Sequence, residues 1–377
     1  MIAEPNLDQL RPKLQNAFDF AQEQVENLIE THPDYFPMYT QNGVWKHKGE
    51  AWTNWCEGFL GGMMWIFHCR TGDPVWRERA EHYSRLIEER KHDRSVHDLG
   101  FLFWSTWKRW YDLTGDEDIN DVVITAGQTM GKRFKEKGGY LRSFVAEDSL
   151  FIDIMMNVGI VFYAAMQRDD EALLAKAHQH CLTTRRYLIR GDGSSAHEGI
   201  FDLETGEFLR QSTHQGWRGD SAWARGQAWA LYGFGTAYQL TGERRYLQTA
   251  QDCADFYIKS TSFEGDAPFG PGISPNDWDG HQNRVESSAA AIAASGMLNL
   301  AHIVQDPVYA ARYRRAALII LDTLTGPEYL ADQTPGWEGI LKHGMYHLNK
   351  GLGVDESVMW GEHFFVEALD KALSLEG

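Results

Sequence analysis

The 377-residue chain contains no run near the roughly 20 consecutive apolar residues that a membrane-spanning helix requires, so no membrane association is expected. Its opening, MIAEPNLDQL, lacks the basic start and apolar core of a secretory leader, which points to a cytoplasmic location. Cysteine is scarce. Cys56, Cys69, Cys181 and Cys253 stand far apart with no paired spacing, which argues against a disulfide framework or a zinc knuckle and for reduced, mostly packed thiols. Positive charge is also short: 36 Lys and Arg face 53 Asp and Glu, a formal net of −17, whereas affinity for a nucleic-acid backbone comes from the opposite balance. There is no Gly-rich phosphate loop and no helical His pair at ligand spacing, so neither a cofactor nor a metal is expected. Asp277-Trp278-Asp279-Gly280 matches half of a calcium loop, but without the downstream Glu it reads as a turn. Strand signals are sparse, the best lying near 139–144 and 199–209.

What the chain has instead is helical period, repeated. Thr71-Gly72-Asp73, Thr114-Gly115-Asp116 and Thr241-Gly242-Glu243 recur, with weaker copies at Arg168-Asp169-Asp170 and Gln305-Asp306-Pro307. In each, Gly or a polar pair stops one helix and an acid or Pro starts the next, which predicts the tight turn of a helical hairpin. Segments before the turns are apolar around most of their circumference (55–70, 96–113, 150–167, 222–240, 287–304, and 357–374 at the end) and read as buried. Segments after them are amphipathic (73–90, 117–135, 170–189, 244–259, 307–326, joined by 7–32) and read as an outer layer. Six outer helices alternating with six inner ones predict an all-α (α/α)6 barrel. With no low-complexity or Ser/Gly-rich linker, one domain over 1–377 is expected, as a monomer or weak homo-oligomer.

Connections from outer to inner helices are long, about 33–53, 136–148, 190–220, 260–286 and 327–356. They gather on one rim with the inner-helix N-termini, and long loops in a compact domain are where function concentrates. Three acids fall there behind candidate caps: Glu57 after Asn54, Asp98 after Ser95, and Asp153 after Ser149. The first two have capping-box spacing. Asp153 comes one residue too late and sits in the apolar stretch Ser149–Met166, read as one helix. A carboxyl in such a wall either finds partners or keeps its proton, the starting condition of a general acid, although an acid in a first helical turn also suits the helix dipole. Two carboxyls on adjoining inner helices can split into a protonated acid and an ionised partner. His97 is placed to orient Asp98. Arg225 is the candidate cation for an acidic substrate, and Trp55 and Trp229 are candidate stacking platforms, with core packing an equal alternative for Trp229 and for Trp223. His197, Gln215 and His214 cluster in the 190–220 loop, while His343, Tyr346 and His347 come from the last loop; fixing loop structure is the competing role for each.

Several motifs together resemble one family. Trp55 with Glu57-Gly58-Phe59, His97-Asp98-Leu99-Gly100-Phe101, Ile152-Asp153 with Asn157, Arg190-Gly191-Asp192 with Ser195 and His197, Thr213-His214-Gln215-Gly216 and Trp223-Ala-Arg225-Gly226-Gln227-Ala-Trp229 are similar to those of the unsaturated glucuronyl hydrolases, glycoside hydrolase family 88. The resemblance spans nearly the whole chain and implies the same (α/α)6 barrel. It places the two catalytic acids on Asp98 and Asp153 and sugar contacts on Trp55, His97, His197, Gln215, Arg225, Trp229 and Tyr346. The implied substrate is a small acidic oligosaccharide left by a polysaccharide lyase, bearing a 4,5-unsaturated uronic acid at its non-reducing end, of glycosaminoglycan type. Asp153 would protonate carbon 4 of the vinyl ether and help water add at carbon 5, with Asp98 ionised beside it. Cys56 and Leu60 depart from the family beside the first Trp. Lys350 could meet an anionic group on the next sugar, with surface solvation as the simpler reading. The competing functions are an unsaturated rhamnogalacturonyl hydrolase acting on pectin fragments and a sugar epimerase on the same barrel.

Overall fold

The structure is a computed structural model that describes residues 5–46 and 54–376. Residues 47–53, the end of the first long connection, lie outside the described residues, as do 1–4 and 377. In chain order the helices are α1 (Leu7–Thr31), α2 (Glu57–Thr71), α3 (Pro74–Leu86), α4 (Leu99–Phe103), α5 (Trp107–Thr114), α6 (Glu117–Gly131) and α7 (Ile154–Gln167). They continue as α8 (Glu171–Leu188), α9 (Ala224–Thr241), α10 (Arg244–Ser260), α11 (Ser287–Ile303), α12 (Pro307–Leu324) and α13 (Met359–Leu373). None described is long and apolar enough to cross a membrane.

The repeated turns are built as their residues dictate. Gly72, Gly115 and Gly242 close α2, α5 and α9 in the left-handed conformation, where a Cβ would be strained. Asp73, Asp116 and Glu243 then cap α3, α6 and α10, each carboxylate accepting a backbone N–H two residues on. The weaker copies work the same way, with Asp170 capping α8 and Asp306 capping α12.

Burial separates the two layers. On α10 the buried residues are Tyr246, Thr249, Ala250, Cys253, Ala254 and Tyr257, one stripe of a 3.6-residue period. On α11 nearly every position from Ser287 to Leu298 is buried, as an inner helix requires. The inner ring runs α2, α4, α7, α9, α11, α13 and back to α2, and each outer helix packs on its own inner partner, α1 on α13. This is the (α/α)6 barrel.

Two inner segments differ from the sequence expectation. The run 96–113 is broken into α4 and α5 at Thr106, whose hydroxyl bonds back to Leu102 O at 2.5 Å in place of a continuing helical ladder. The run 150–167 is not one helix either: Ser149–Phe151 is a strand, paired antiparallel with Glu198–Phe201, which in turn pairs with Phe208–Ser212. This small sheet and the hairpin Gly344–His347 with Leu352–Glu356 sit among the long connections and build the rim.

Candidate active site

A cavity of about 390 Å3 opens among the long connections. Asp98, Asp153, Trp55, His97, Gln215, Arg225, Trp229 and Tyr346 all line it, eight of the nine residues expected there. The ninth, His197, stands behind Asp153 rather than on the wall. Phe101, Phe144, Val145, Phe151, His214, His347 and Lys350 complete the lining.

The local chain path explains how both acids arrive. Asp98 occupies the N-cap position of α4 and Asp153 that of α7, yet neither carboxylate caps its helix. Ser149 is no cap either; its hydroxyl reaches the buried Glu198 at 2.5 Å across the sheet. Nor do the expected capping boxes form. Ser95 bonds to Asp93, and Glu57, the first residue of α2, pairs with Arg90. Asn157 ties the two acid-bearing helices together, its amide nitrogen donating to Asp153 O at 3.1 Å and its Oδ1 accepting the Phe101 N–H at 2.7 Å. Gly100 permits that approach, because a Cβ there would lie 2.5 Å from Asn157 Cα.

Each acid faces a histidine of fixed tautomer. His97 Nδ1 accepts the Phe144 N–H at 3.0 Å, which leaves the ring proton on Nε2, 3.4 Å from Asp98 Oδ1. His197 Nδ1 accepts the His214 N–H at 3.2 Å, which leaves Nε2–H facing Asp153 Oδ2 at 3.4 Å. At that length the contacts are electrostatic rather than formed hydrogen bonds. Asp98 Oδ2, Asp153 Oδ2 and His197 Nε2 are all buried and make no hydrogen bond within the described residues. Buried polar atoms are ordinarily satisfied, so an open oxygen on each of two acids lining one cavity marks a place that a ligand completes.

The acids divide their protonation. Burial, followed by the charge of Asp153, holds Asp98 well above the usual carboxylate range despite Arg133 and Arg90. Burial also raises Asp153, but the His197 ring N–H and the charges of His197, His97 and Arg225 outweigh it and leave this carboxyl low. His97 is pushed down to about 3 by burial and is neutral near pH 7, so its charge contributes nothing to Asp153 there. Asp98 is thus held above, and Asp153 below, the usual carboxylate range. The physical reason is that His197 and Arg225 lie on the Asp153 side.

Arg225 lies on the cavity wall. Its guanidinium is fully buried and pairs with Glu286 at 2.7 Å, donates to Tyr346 O at 2.9 Å, and bonds to Met345 O and Gln215 Oε1. Trp223 lies under it at 4.4 Å. Paired with Glu286, Arg225 holds Gln215 and the Gly344–His347 strand in place on the cavity wall. Glu286, which caps α11 and also takes the Met345 N–H at 3.2 Å, was not singled out in the sequence. Lys350, which is exposed, supplies a cation on the wall of the cavity instead of pointing only to solvent. Asp277 forms the turn that the sequence suggests, accepting from Asp279 N and Gly280 N. No group of three or more His, Cys, Asp or Glu placed to hold a metal occurs among the described residues.

An (α/α)6 barrel with two coupled carboxyls set among aromatic rings at its loop-bearing mouth defines a carbohydrate-cleaving enzyme. The chain belongs to Glycosyl Hydrolase Family 88, whose model matches residues 28–329. It is 30% identical over 348 residues to an unsaturated glucuronyl hydrolase of Bacillus sp. strain GL1, covering 89% of this chain and 90% of that protein. It is 30% identical over 330 residues to an unsaturated chondroitin disaccharide hydrolase of Streptococcus pneumoniae, covering 84% and 81%. The crystal structure of an unsaturated glucuronyl hydrolase specific for heparin superposes with a TM-score of 0.87 at 28% identity, over 96% of this chain and 97% of that one.

Proposed function

We propose that this glycoside hydrolase releases the 4,5-unsaturated uronic acid from the non-reducing end of lyase-generated oligosaccharides of glycosaminoglycan type. The observation that carries this reading is the pair of buried carboxyls, one shifted up and one shifted down, each keeping an unpartnered oxygen at one aromatic-walled cavity. The relatives named above, active on unsaturated glucuronyl or chondroitin units, support the same substrate class.

The group attacked is a vinyl ether. Asp153 protonates carbon 4, positive charge develops at carbon 5, and the carboxylate so formed assists water to add there. The hemiketal opens and the remaining sugar leaves with its glycosidic oxygen. At rest the proton lies on Asp98; a uronate entering beside Asp153 opposes that group's ionisation and draws the proton across. Trp55, Trp229 and Tyr346 pack against the sugar, Gln215 bonds its hydroxyls, His97 and His197 orient the two acids, and Lys350 meets an anionic group on the next unit.

The test is to incubate the protein with unsaturated disaccharides from chondroitin, heparin and gellan and follow the ultraviolet absorbance of the conjugated double bond. The reading expects that absorbance to vanish with release of the second sugar. Persistence across all three, loss confined to unsaturated rhamnogalacturonyl fragments, or an epimer with its double bond intact would each replace it.

A further inference from the structure

A second cavity of about 630 Å3 lies beside the same loop. The segment between the sheet and α9 presents Gln215 to the acid cavity and Asp220 and Ala222 to this one. Thr261, the residue that ends α10, lines it. Thr261 is only 6% exposed, and its hydroxyl makes no hydrogen bond within the described residues. The Trp278 ring also lines the cavity, held edge-on by Phe256 at 5.3 Å and Tyr257 at 5.5 Å, and its buried Nε1–H likewise has no partner there. Buried donors and acceptors are ordinarily paired, so two open ones on residues lining one cavity specify what an occupant offers: an acceptor for the indole and a hydroxyl partner for Thr261.

The charge of the walls narrows the occupant further. Three acids, Asp192, Asp220 and Asp279, line it with one cation, Arg190, which is already engaged by Ser221 O at 3.1 Å, Gln211 Oε1 at 3.1 Å and Ser194 Oγ at 3.2 Å; Asp220 also pairs with Arg218, outside the lining, at 3.0 Å. Carboxylates accept hydroxyl protons and repel uronates, and Phe256, Phe269 and Trp278 offer apolar surface to a ring face. We propose that this cavity is a second saccharide site that takes a hexose ring bearing no negative charge. The site is tied to the start of α9 by Trp278 N to Ala222 O at 3.1 Å and Ala222 N to Asp279 Oδ2 at 2.8 Å. Its chemistry does not depend on the reaction at Asp98 and Asp153, so it stands or falls separately from that reaction.

Isothermal titration of the full chain with N-acetylglucosamine and with glucosamine tests this, repeated on Thr261→Val and Trp278→Phe. The expected result is saturable binding to the parent protein, weakened about three- to tenfold in either variant, a fold-change matching one lost hydrogen bond. Thr261→Val is also expected to keep the parent thermal midpoint or raise it, since it removes an unpaired hydroxyl, and to leave turnover of an unsaturated disaccharide unchanged. No saturable binding of either sugar, equal affinity in parent and both variants, or a glucuronate binding that Thr261→Val weakens to the same extent would overturn the assignment.

Discussion

The barrel holds buried carboxylates at two levels, and they are treated in opposite ways. Toward the end that carries the short turns, Glu367 of α13 is fully saturated: Arg109 at 2.8 Å, Lys371 at 2.9 Å, the Tyr232 hydroxyl at 2.6 Å and the Ser295 hydroxyl at 2.5 Å. Burial raises this carboxyl, but Lys371 and Arg109 outweigh it and keep it ionised. At the loop-bearing end Asp98 and Asp153 each keep an oxygen with no partner among the described residues, and burial with mutual repulsion raises Asp98. The same side-chain chemistry thus serves as cement in one place and as a proton carrier in the other. The difference is whether the lone pairs are already taken.

Four changes would break or sharpen that contrast. Asp153→Asn removes the proton donor while keeping shape, and turnover is expected to fall about 10³-fold or more with substrate affinity within a few-fold of the parent, read by initial rates and by titration. Retained turnover would move the acid to Asp98. Glu367→Ala leaves the half-buried Arg109 and Lys371 without their counterion and is expected to cost about 3 kcal/mol of stability in denaturant unfolding, with turnover per folded molecule preserved. A small stability loss would show that this network contributes little to the fold. Glu286→Gln should be intermediate. Loosening Arg225 shifts Gln215 and Tyr346, and kcat/KM is expected to drop about 10- to 100-fold with a rise in KM, because misplacement of contact groups is costly even when the chemical groups are intact.

The smallest effect concerns pH and has a definite sign. Asp98 is raised in the folded state, so its contribution to stability is complete below the unfolded Asp value of about 3.9 and is lost as pH rises toward the folded value. Glu367 is lowered, so its contribution is present above the unfolded Glu value of about 4.3 and is lost as pH falls below it. Asp98→Asn should therefore match the parent melting temperature near pH 4 and exceed it by a few degrees near pH 7, measured by thermal unfolding. In catalysis the same pair predicts a bell, with an acid limb from lowered Asp153 and an alkaline limb from raised Asp98. Asp98→Asn leaves the lowered Asp153 without that proton, so the alkaline limb should move to lower pH.

Much of the fold was legible because it repeats. Glycines at the left-handed ends of α2, α5 and α9, each followed by an acid cap, are local signals, and the alternation of all-round apolar and one-sided helices carries the layer assignment. Leu150-Phe151-Ile152 misled the reading because a short apolar run looks the same in a buried strand and a buried helix; the pairing of Ser149 with Ile200 decides it. The candidate site was legible as a set of residue types on one rim. What those groups do to one another was not. Arg225 reads as a cation for a substrate, but no spacing rule shows that the fold also brings Glu286 against it. Nor does any local signal show that the strand Glu198–Phe201 brings His197 to Asp153. The opposite shifts of Asp98 and Asp153 depend on such long-range neighbours.

The most direct measurement follows the proton itself. Turnover of an unsaturated chondroitin disaccharide in deuterium oxide, with early product observed by proton NMR, should show one deuterium at carbon 4 on a single face, with no such product from Asp153→Asn. A product without deuterium at carbon 4, an equal mixture of both faces, or the same labelled product from Asp153→Asn would contradict the account.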